Sequence, residues 1–341
     1  MKYNGDFDFF DFSAVKTYPI RERKNKVRCS GFLEPEQARK ETETSPAPML
    51  DAIVRAAEDS RSAGQPVILF TGAHLIKNGL SLLLAELVKE KAVTLVATNG
   101  AGMIHDLEIA LIGETSETVP RGLRRGRFGM CRETAELMNR ALAHGNRQNL
   151  GAGESLGALV HGEPFPEKTE FPFRKYSLLN ACRASSVPFT MHAGIGTDII
   201  DQHASFDGEA KGGCSARDFG IFAAEVAKMT RGGVFINIGS AVTGPEVLLK
   251  ACSMAANIGR APCGITTAVF DLRPAQMQDV TDEKRFTYYF RDIKSVASRI
   301  PEAFGGKGFY IRGDQKETFP AFFRKVSARL SPGNSEKNKT P

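Results

Sequence analysis

The six cysteines of this chain (Cys29, Cys131, Cys182, Cys214, Cys252, Cys263) include no Cys-x-x-Cys pair and no zinc-finger spacing. That scatter excludes a metal finger and points to reduced thiols in a cytoplasmic protein. No uninterrupted apolar run approaches the roughly 20 residues of a membrane span; the longest candidate, Leu80 to Val88, is cut by Glu86. A soluble protein that makes no membrane contact is expected. The start, Met1-Lys2-Tyr3-Asn4-Gly5-Asp6, lacks the basic and then apolar layout of a secretory signal. Tryptophan is absent altogether, so no catalytic segment depends on one. The net charge of +6 is mild and sits largely in Arg21 to Arg28 and Arg121 to Arg127. Without a basic face interleaved with aromatic or groove-entering elements, nucleic acid is excluded as a partner.

What the chain does have is apolar residues at 42% and 33 glycines in 341 positions, above the usual share of about 7%. Many strand-to-helix turns would use them. Val67-Ile68-Leu69-Phe70 has the length of a buried strand and breaks at Thr71-Gly72. Gly79 to Glu90 then repeats leucine at helical spacing (Leu80, Leu83, Leu84, Leu87), and Val93 to Thr98 is a second buried strand ending in Asn99-Gly100-Ala101-Gly102. Strand, helix and strand in this order imply a right-handed crossover and a parallel sheet, with ligands at the strands' carboxyl ends. Helices are predicted over 49–63, 104–111, 131–143, 177–184, 216–230 and 319–330, and from Gly244 onward. Further strands are predicted over 188–191, 234–238, 265–272 and 309–311, and 114–128 and 163–173 read as loops. The expected fold is α/β, a doubly wound, mostly parallel, Rossmann-like sheet. Residues 1–48 form an arm or extension, 49–330 a single α/β domain and 331–341 a polar, disordered tail.

The turn Thr98 to Gly102 offers small residues where backbone amides meet a ligand, and it enters a helix whose positive end favours phosphate. Its spacing is not that of the dinucleotide fingerprint, so cofactor binding and a simple turn both stay open. Gly239-Ser240 repeats the geometry. The densest polar constellation is His192, Asp198, Asp201, His203 and Asp207, directly after a strand. One reading gives Asp198 a cation or ribose hydroxyl and leaves a histidine for proton transfer. Another assigns His192, Asp198, Asp201 and His203 to a metal, as in a metal-dependent hydrolase, although no recognised ligand spacing supports it. The third is a solvated loop with a capping aspartate. His105-Asp106 and His74 flank the two strand ends, and Asp106 would complement a helix dipole. The basic loop 121–127 is either solvated surface or a grip on an anion or a neighbouring subunit.

Taken in order, these blocks resemble deoxyhypusine synthase and its bacterial relatives over about residues 50 to 275. The resemblance rests on Leu69 to Val88 with Leu75-Ile76 and Gly79, on Leu95 to Leu107 with Thr98, Gly102 and Asp106, and on Val187-Pro188-Phe189 through Asp198. Val234 to Ser240 and Thr267-Ala268-Val269-Phe270-Asp271 complete it. It implies an NAD-binding fold that assembles as a homo-oligomer, a tetramer or dimer, with active sites between subunits. His74, Thr98, Gly100, Gly102, Asp106, Gly239, Ser240, Thr267, Ala268 and Asp271 would line the cofactor or its edge. Asp198 would hold the cationic or ribose end, with His105 or His203 as the proton-transfer group. The family's Trp-Gly-Lys segment has no counterpart here, and Thr243-Gly244-Pro245 stands where the family has Lys-His-His. Lys294, after Tyr288-Tyr289-Phe290, is the nearest lysine that follows an aromatic cluster. The function implied is NAD-dependent hydride or aminoalkyl-type transfer on a small amine or polyamine-like substrate, other than deoxyhypusine synthesis itself. A non-catalytic nucleotide-binding protein is the alternative beside the metal hydrolase.

Overall fold

The structure, a computed structural model, describes residues 3–41, 48–166 and 168–330. The tail 331–341 and residues 42–47 of the expected arm lie outside them. Six strands, β1 (Val67–Thr71), β2 (Leu95–Asn99), β3 (Phe189–His192), β4 (Val234–Ile238), β5 (Thr266–Asp271) and β6 (Lys307–Arg312), form one sheet. Their spatial order is 3-2-1-4-5-6 and every neighbouring pair is parallel. That is a doubly wound fold, whose order reverses between β1 and β4.

Both faces of the strands are covered, so they read as continuous apolar runs. Alternate side chains divide between two cores. Leu69, Val96, Ile236, Ala268 and Phe270 enter one, and Ile68, Phe70, Ala97, Phe235 and Val269 enter the other. The helices that cover the sheet and its flanks are α1 (Pro48–Ser62), α2 (Ser81–Lys89), α3 (Gly100–Ile112), α4 (Arg132–Arg147), α5 (Ala152–His161), α6 (Leu178–Ala184), α7 (Gly208–Val226), α8 (Thr243–Asn257) and α9 (Gln315–Leu330). Ile53 of α1, Leu84 of α2 and Phe323 of α9 pack into the first core. Phe222 of α7, Leu248 of α8 and Val296 of the π-helical turn Ile293–Arg299 pack into the second.

Three stretches depart from the sequence expectations. Helix α7 begins eight residues before Ala216, because Asp207 Oδ1 accepts from Ala210 N at 3.0 Å and caps it. Its early glycines disguise it; a Cβ on Gly213 would lie 2.4 Å from Asn146 Oδ1 of α4, so glycine there serves helix packing. Helix α5 lies in a stretch for which no element was expected. The supposed loop 114–128 contains a strand, Glu114–Thr115, paired antiparallel with Val27–Arg28, and a helical turn, Val119–Arg124. The N-terminal extension thus joins the body, with Ile20, Arg23 and Phe32 buried. Among the described residues no helix is long and apolar enough to cross a membrane.

Asp218 of α7 fastens α5 to β3. Its Oδ2 accepts from Gly153 N at 3.0 Å and Met191 N at 2.7 Å, while Oδ1 is buried without a partner. Burial pushes its carboxyl up to about 7. The folded state therefore binds this proton more tightly than the unfolded chain, and the stability it contributes fades as pH rises from about 4 through about 7. Asp218→Asn, which keeps an acceptor oxygen, is expected to flatten that part of the Tm-against-pH curve. An unchanged curve would show that Asp218 does not titrate there.

Candidate functional site

The carboxyl ends of β1 and β4 meet at the switch point. Gly72 N donates to Ile238 O at 3.0 Å, and a Cβ on Gly72 would lie 2.3 Å from Gly239 O. Gly239, at φ +67°, is exposed. Gly72 is buried and makes room for the Gly239 carbonyl, so Gly239, beside Gln315, is the turn residue that exposes backbone at the place where doubly wound folds bind ligands.

Beside this point, over β2, a cavity of about 240 Å³ is lined by Lys77, His105, Glu117, Phe128 and Asp198, with Arg23 and Glu108 in its wall. The wall is a bonded network. Arg23 grips Glu108 with two parallel bonds of 2.8 and 2.7 Å, both side chains nearly free of solvent. Although burial opposes it, the guanidinium holds the Glu108 carboxyl below its ordinary range. Thr134 and Thr115 hydroxyls donate to Glu108 at 2.7 and 2.6 Å. His105 Nδ1 lies 2.6 Å from Thr115 Oγ1. Since the single Thr115 hydroxyl proton is directed to Glu108, His105 must donate from Nδ1, which leaves the Nε2 lone pair free. Burial lowers the imidazole to about 4, with Lys77 and Arg23 adding to the shift against the pull of Glu108. The ring is neutral at physiological pH, half-buried and oriented. Lys77 has no acidic partner among the described residues.

The constellation 192–203 separates in space. Lys211 of α7, fully buried, donates to Asp198 Oδ2 (2.8 Å), Asp201 Oδ1 (2.6 Å) and Gly194 O (2.9 Å). Asp201 Oδ2 accepts from Gly196 N at 2.8 Å. The cation that Asp198 holds is therefore an ammonium of its own chain. Burial still raises the Asp198 carboxyl, against the pull of Lys211. His192 packs against Phe70 and Phe222, with centroids 5.5 and 5.2 Å away, and burial lowers it to about 4. It opens on a second cavity, of about 420 Å³, with Ser215, Phe219, Thr243 and Glu246. His203 Nε2 donates to Gly129 O at 2.7 Å, and burial lowers its pKa. The metal-hydrolase expectation is corrected on these contacts: the four side chains do not converge, and among the described residues no group of three or more His, Cys, Asp or Glu is placed to hold a metal.

The expected cofactor residues divide likewise. His74 is exposed beside the switch point, and its pKa is lowered by burial and by Lys77. At the β2–α3 turn a Cβ on Gly100 would lie 1.9 Å from Asp198 Oδ2, and one on Gly102 1.9 Å from Thr98 Oγ1. Asn99 caps Gly102 N at 3.0 Å, and Thr98 Oγ1 donates to Thr71 O at 2.8 Å. The chain's own groups fill that turn, so it does not fit a pyrophosphate. Asp106 faces away from it: wholly buried, its carboxylate accepts from Ser177 Oγ, Leu178 N (2.7 Å) and Leu179 N (3.0 Å) and so caps α6, with burial pushing it up to about 6. Ser240 Oγ accepts from Gly244 N at 2.9 Å and caps α8. Thr267 donates to Val296 O, and Ala268 lies in the core, both inside β5 rather than at its end. Asp271 does reach the edge, where Arg273 joins it to Asp292. Lys294 stacks on Tyr288, its ammonium 3.6 Å from the ring centre. Burial and the neighbouring Arg299 and Arg291 lower its pKa, but it lines neither cavity.

Sequence reasoning overlooked Arg23, Glu108, Thr115 and Lys211. Glu108 had a signal, a second acid one turn beyond His105 in an otherwise apolar helix. Arg23 and Thr115 meet it only through tertiary contacts.

No protein-family model matches the sequence and no curated protein matches it. Distant likenesses are found among solved structures. An arginine dihydrolase of the ornithine-ammonia cycle in Cyanobacteria, ArgZ, is 14% identical with a TM-score of 0.46 over 85% of this chain and 33% of its own. AgrE, solved with ornithine and NAD+, is 14% identical with a TM-score of 0.42 over 84% of this chain and 33% of its own. A candidate deoxyhypusine synthase from Entamoeba histolytica is 10% identical with a TM-score of 0.43 over 92% of this chain and 97% of its own. The chain spans about a third of the length of the first two.

Proposed function

We propose that the chain is an enzyme that takes a small amine-bearing substrate into the cavity beside His105, with NAD at the switch point of the sheet. The observation that carries the reading is the Glu108–Thr115–His105 relay, which presents a free Nε2 lone pair to a cavity of about 240 Å³. The exposed backbone at Gly239 supports the approach of a dinucleotide, with His74 and Asp271 at its margins, whereas the filled β2–α3 turn does not. Bound there, NAD would supply hydride chemistry.

The rest belongs to this chain's own residues. Loss of hydride from a carbon beside nitrogen needs the amine lone pair, so an ammonium must first give up a proton. His105 Nε2 accepts it, and Thr115, held by Glu108, fixes the ring for the transfer. Glu117 gives the cavity an acidic wall for an amine, Asp198 being already engaged by Lys211. Ile104, Val119 and Phe128 restrict water.

Calorimetric titration with NAD tests the cofactor half of the reading. One site per chain is expected. Absence of any heat or thermal shift from NAD overturns that half.

A further inference from the structure

We propose that the basic pocket adjoining the His105 cavity binds the anionic end of a small ligand, a carboxylate or phosphate, so that the substrate carries an amine and an oxyanion at opposite ends. The inference rests on the reading above for the amine end only. The pocket holds about 140 Å³ and shares Arg23 and Glu117 with the His105 cavity, so the two hollows adjoin at these side chains.

The pocket's charges can be accounted for one by one. Arg23 is consumed by Glu108. Arg127 pairs with Glu22 at 3.0 Å and lies 3.8 Å over the Tyr18 ring. Glu117 Oε1 accepts from Gly129 N at 2.8 Å. Lys24, Arg121 and Arg125 remain, all exposed and without acidic partners among the described residues, and they face one volume. Three cations against the single carboxylate of Glu117 leave the hollow with an excess of positive charge, and an oxyanion relieves that repulsion while taking charge-assisted bonds.

The rim is also ordered. Arg125 N and Arg127 N both donate to Gly122 O, and Gly126 N donates to Leu123 O. Tyr18 N donates to Met130 O and Arg132 N to Tyr18 O, which stitches the loop to the N-terminal extension. A fixed backbone limits the ordering entropy that ligand binding must overcome. Guanidinium groups suit carboxylate and phosphate through paired bonds.

The test is calorimetry at constant ionic strength with inorganic pyrophosphate and, separately, succinate. The wild-type chain is expected to bind at least one of them, and the anion that binds identifies the oxyanion type. Arg121→Gln/Arg125→Gln is expected to lose roughly a hundredfold in affinity, about tenfold for each charged partner removed. Lys307→Gln/Lys316→Gln removes the same charge from exposed positions elsewhere and is expected to bind as wild type does. Equal affinity in the Arg121/Arg125 variant, equal losses in both double variants, or no binding of either anion overturns the proposal. His105→Gln should bind the anion normally. If that variant also keeps full turnover, the acid-base reading falls while the anion site stands.

Discussion

Replacing His105 by alanine is expected to lower turnover of an amine substrate by roughly 10²- to 10⁴-fold, the usual contribution of a positioned proton-transfer group. The Tm should stay close to that of wild type. His105 is only half-buried and its one recorded bond goes to Thr115, so alanine opens the cavity wall without orphaning a charge. Thr115→Val separates positioning from proton transfer. It removes the hydroxyl that fixes Nδ1 as donor, so kcat should fall about tenfold with KM little changed, and Thr115→Ser should restore it. The pH profile gives an independent readout. Burial holds the imidazole near 4, so the histidine limb of kcat should fall only as pH drops through about 4. A limb near the ordinary histidine value of about 6.5 would place the essential base elsewhere. The measurement is NAD-linked oxidation of a panel of primary amines. Full activity in His105→Ala would remove His105 from the chemistry.

The sheet was legible because its signals are local. Val67 to Phe70 and Val234 to Ile238 are apolar runs of strand length, and small-residue turns mark their ends. Their succession with helices leads to the doubly wound order, and the strand boundaries found differ from those expected by one or two residues at most ends. The site was less legible, for two physical reasons. Glycine and aspartate are ambiguous as letters: Gly100 looks like a phosphate turn, yet it makes room for a carboxylate that arrives from nearly a hundred residues away. Asp106 looks like a dipole complement to its own helix, yet it caps a different one. His105 was identified because it follows a strand end directly. Its partners Arg23 and Thr115 come from elements that pair only in the folded chain. Lys211 stayed hidden because the glycines around it read as coil, although they lie in the first turns of α7.

Lys211→Met is expected to be the most destabilising single substitution considered. All three ammonium protons of Lys211 have acceptors, and its side chain is 1% exposed, beside Asp198 at 6% and Asp201 at 5%. Methionine fills much of the volume but leaves two buried carboxylates facing each other. Breaking one side of a buried ion pair typically costs about 3–5 kcal/mol, a large part of a domain's stability. The deficit should depend on pH with a definite sign. In the variant the Asp198 carboxyl, which burial already raises, loses the ammonium that opposed the shift, so stability is regained on acidification and lost as pH rises through its folded value. Urea unfolding at pH 5 and pH 8 should therefore show the variant nearer to wild type at the lower pH. Adding Asp201→Asn should recover part of the loss by removing the repulsion while keeping an acceptor for Gly196 N. Because Asp198 closes the β2–α3 turn only while Lys211 anchors it, Lys211→Met should also free the amino end of α3. Hydrogen exchange of the Gly100 and Ala101 amides should rise before the rest of the sheet does. A variant with wild-type stability at both pH values and unchanged exchange at α3 would show that the ion cluster does not hold that turn.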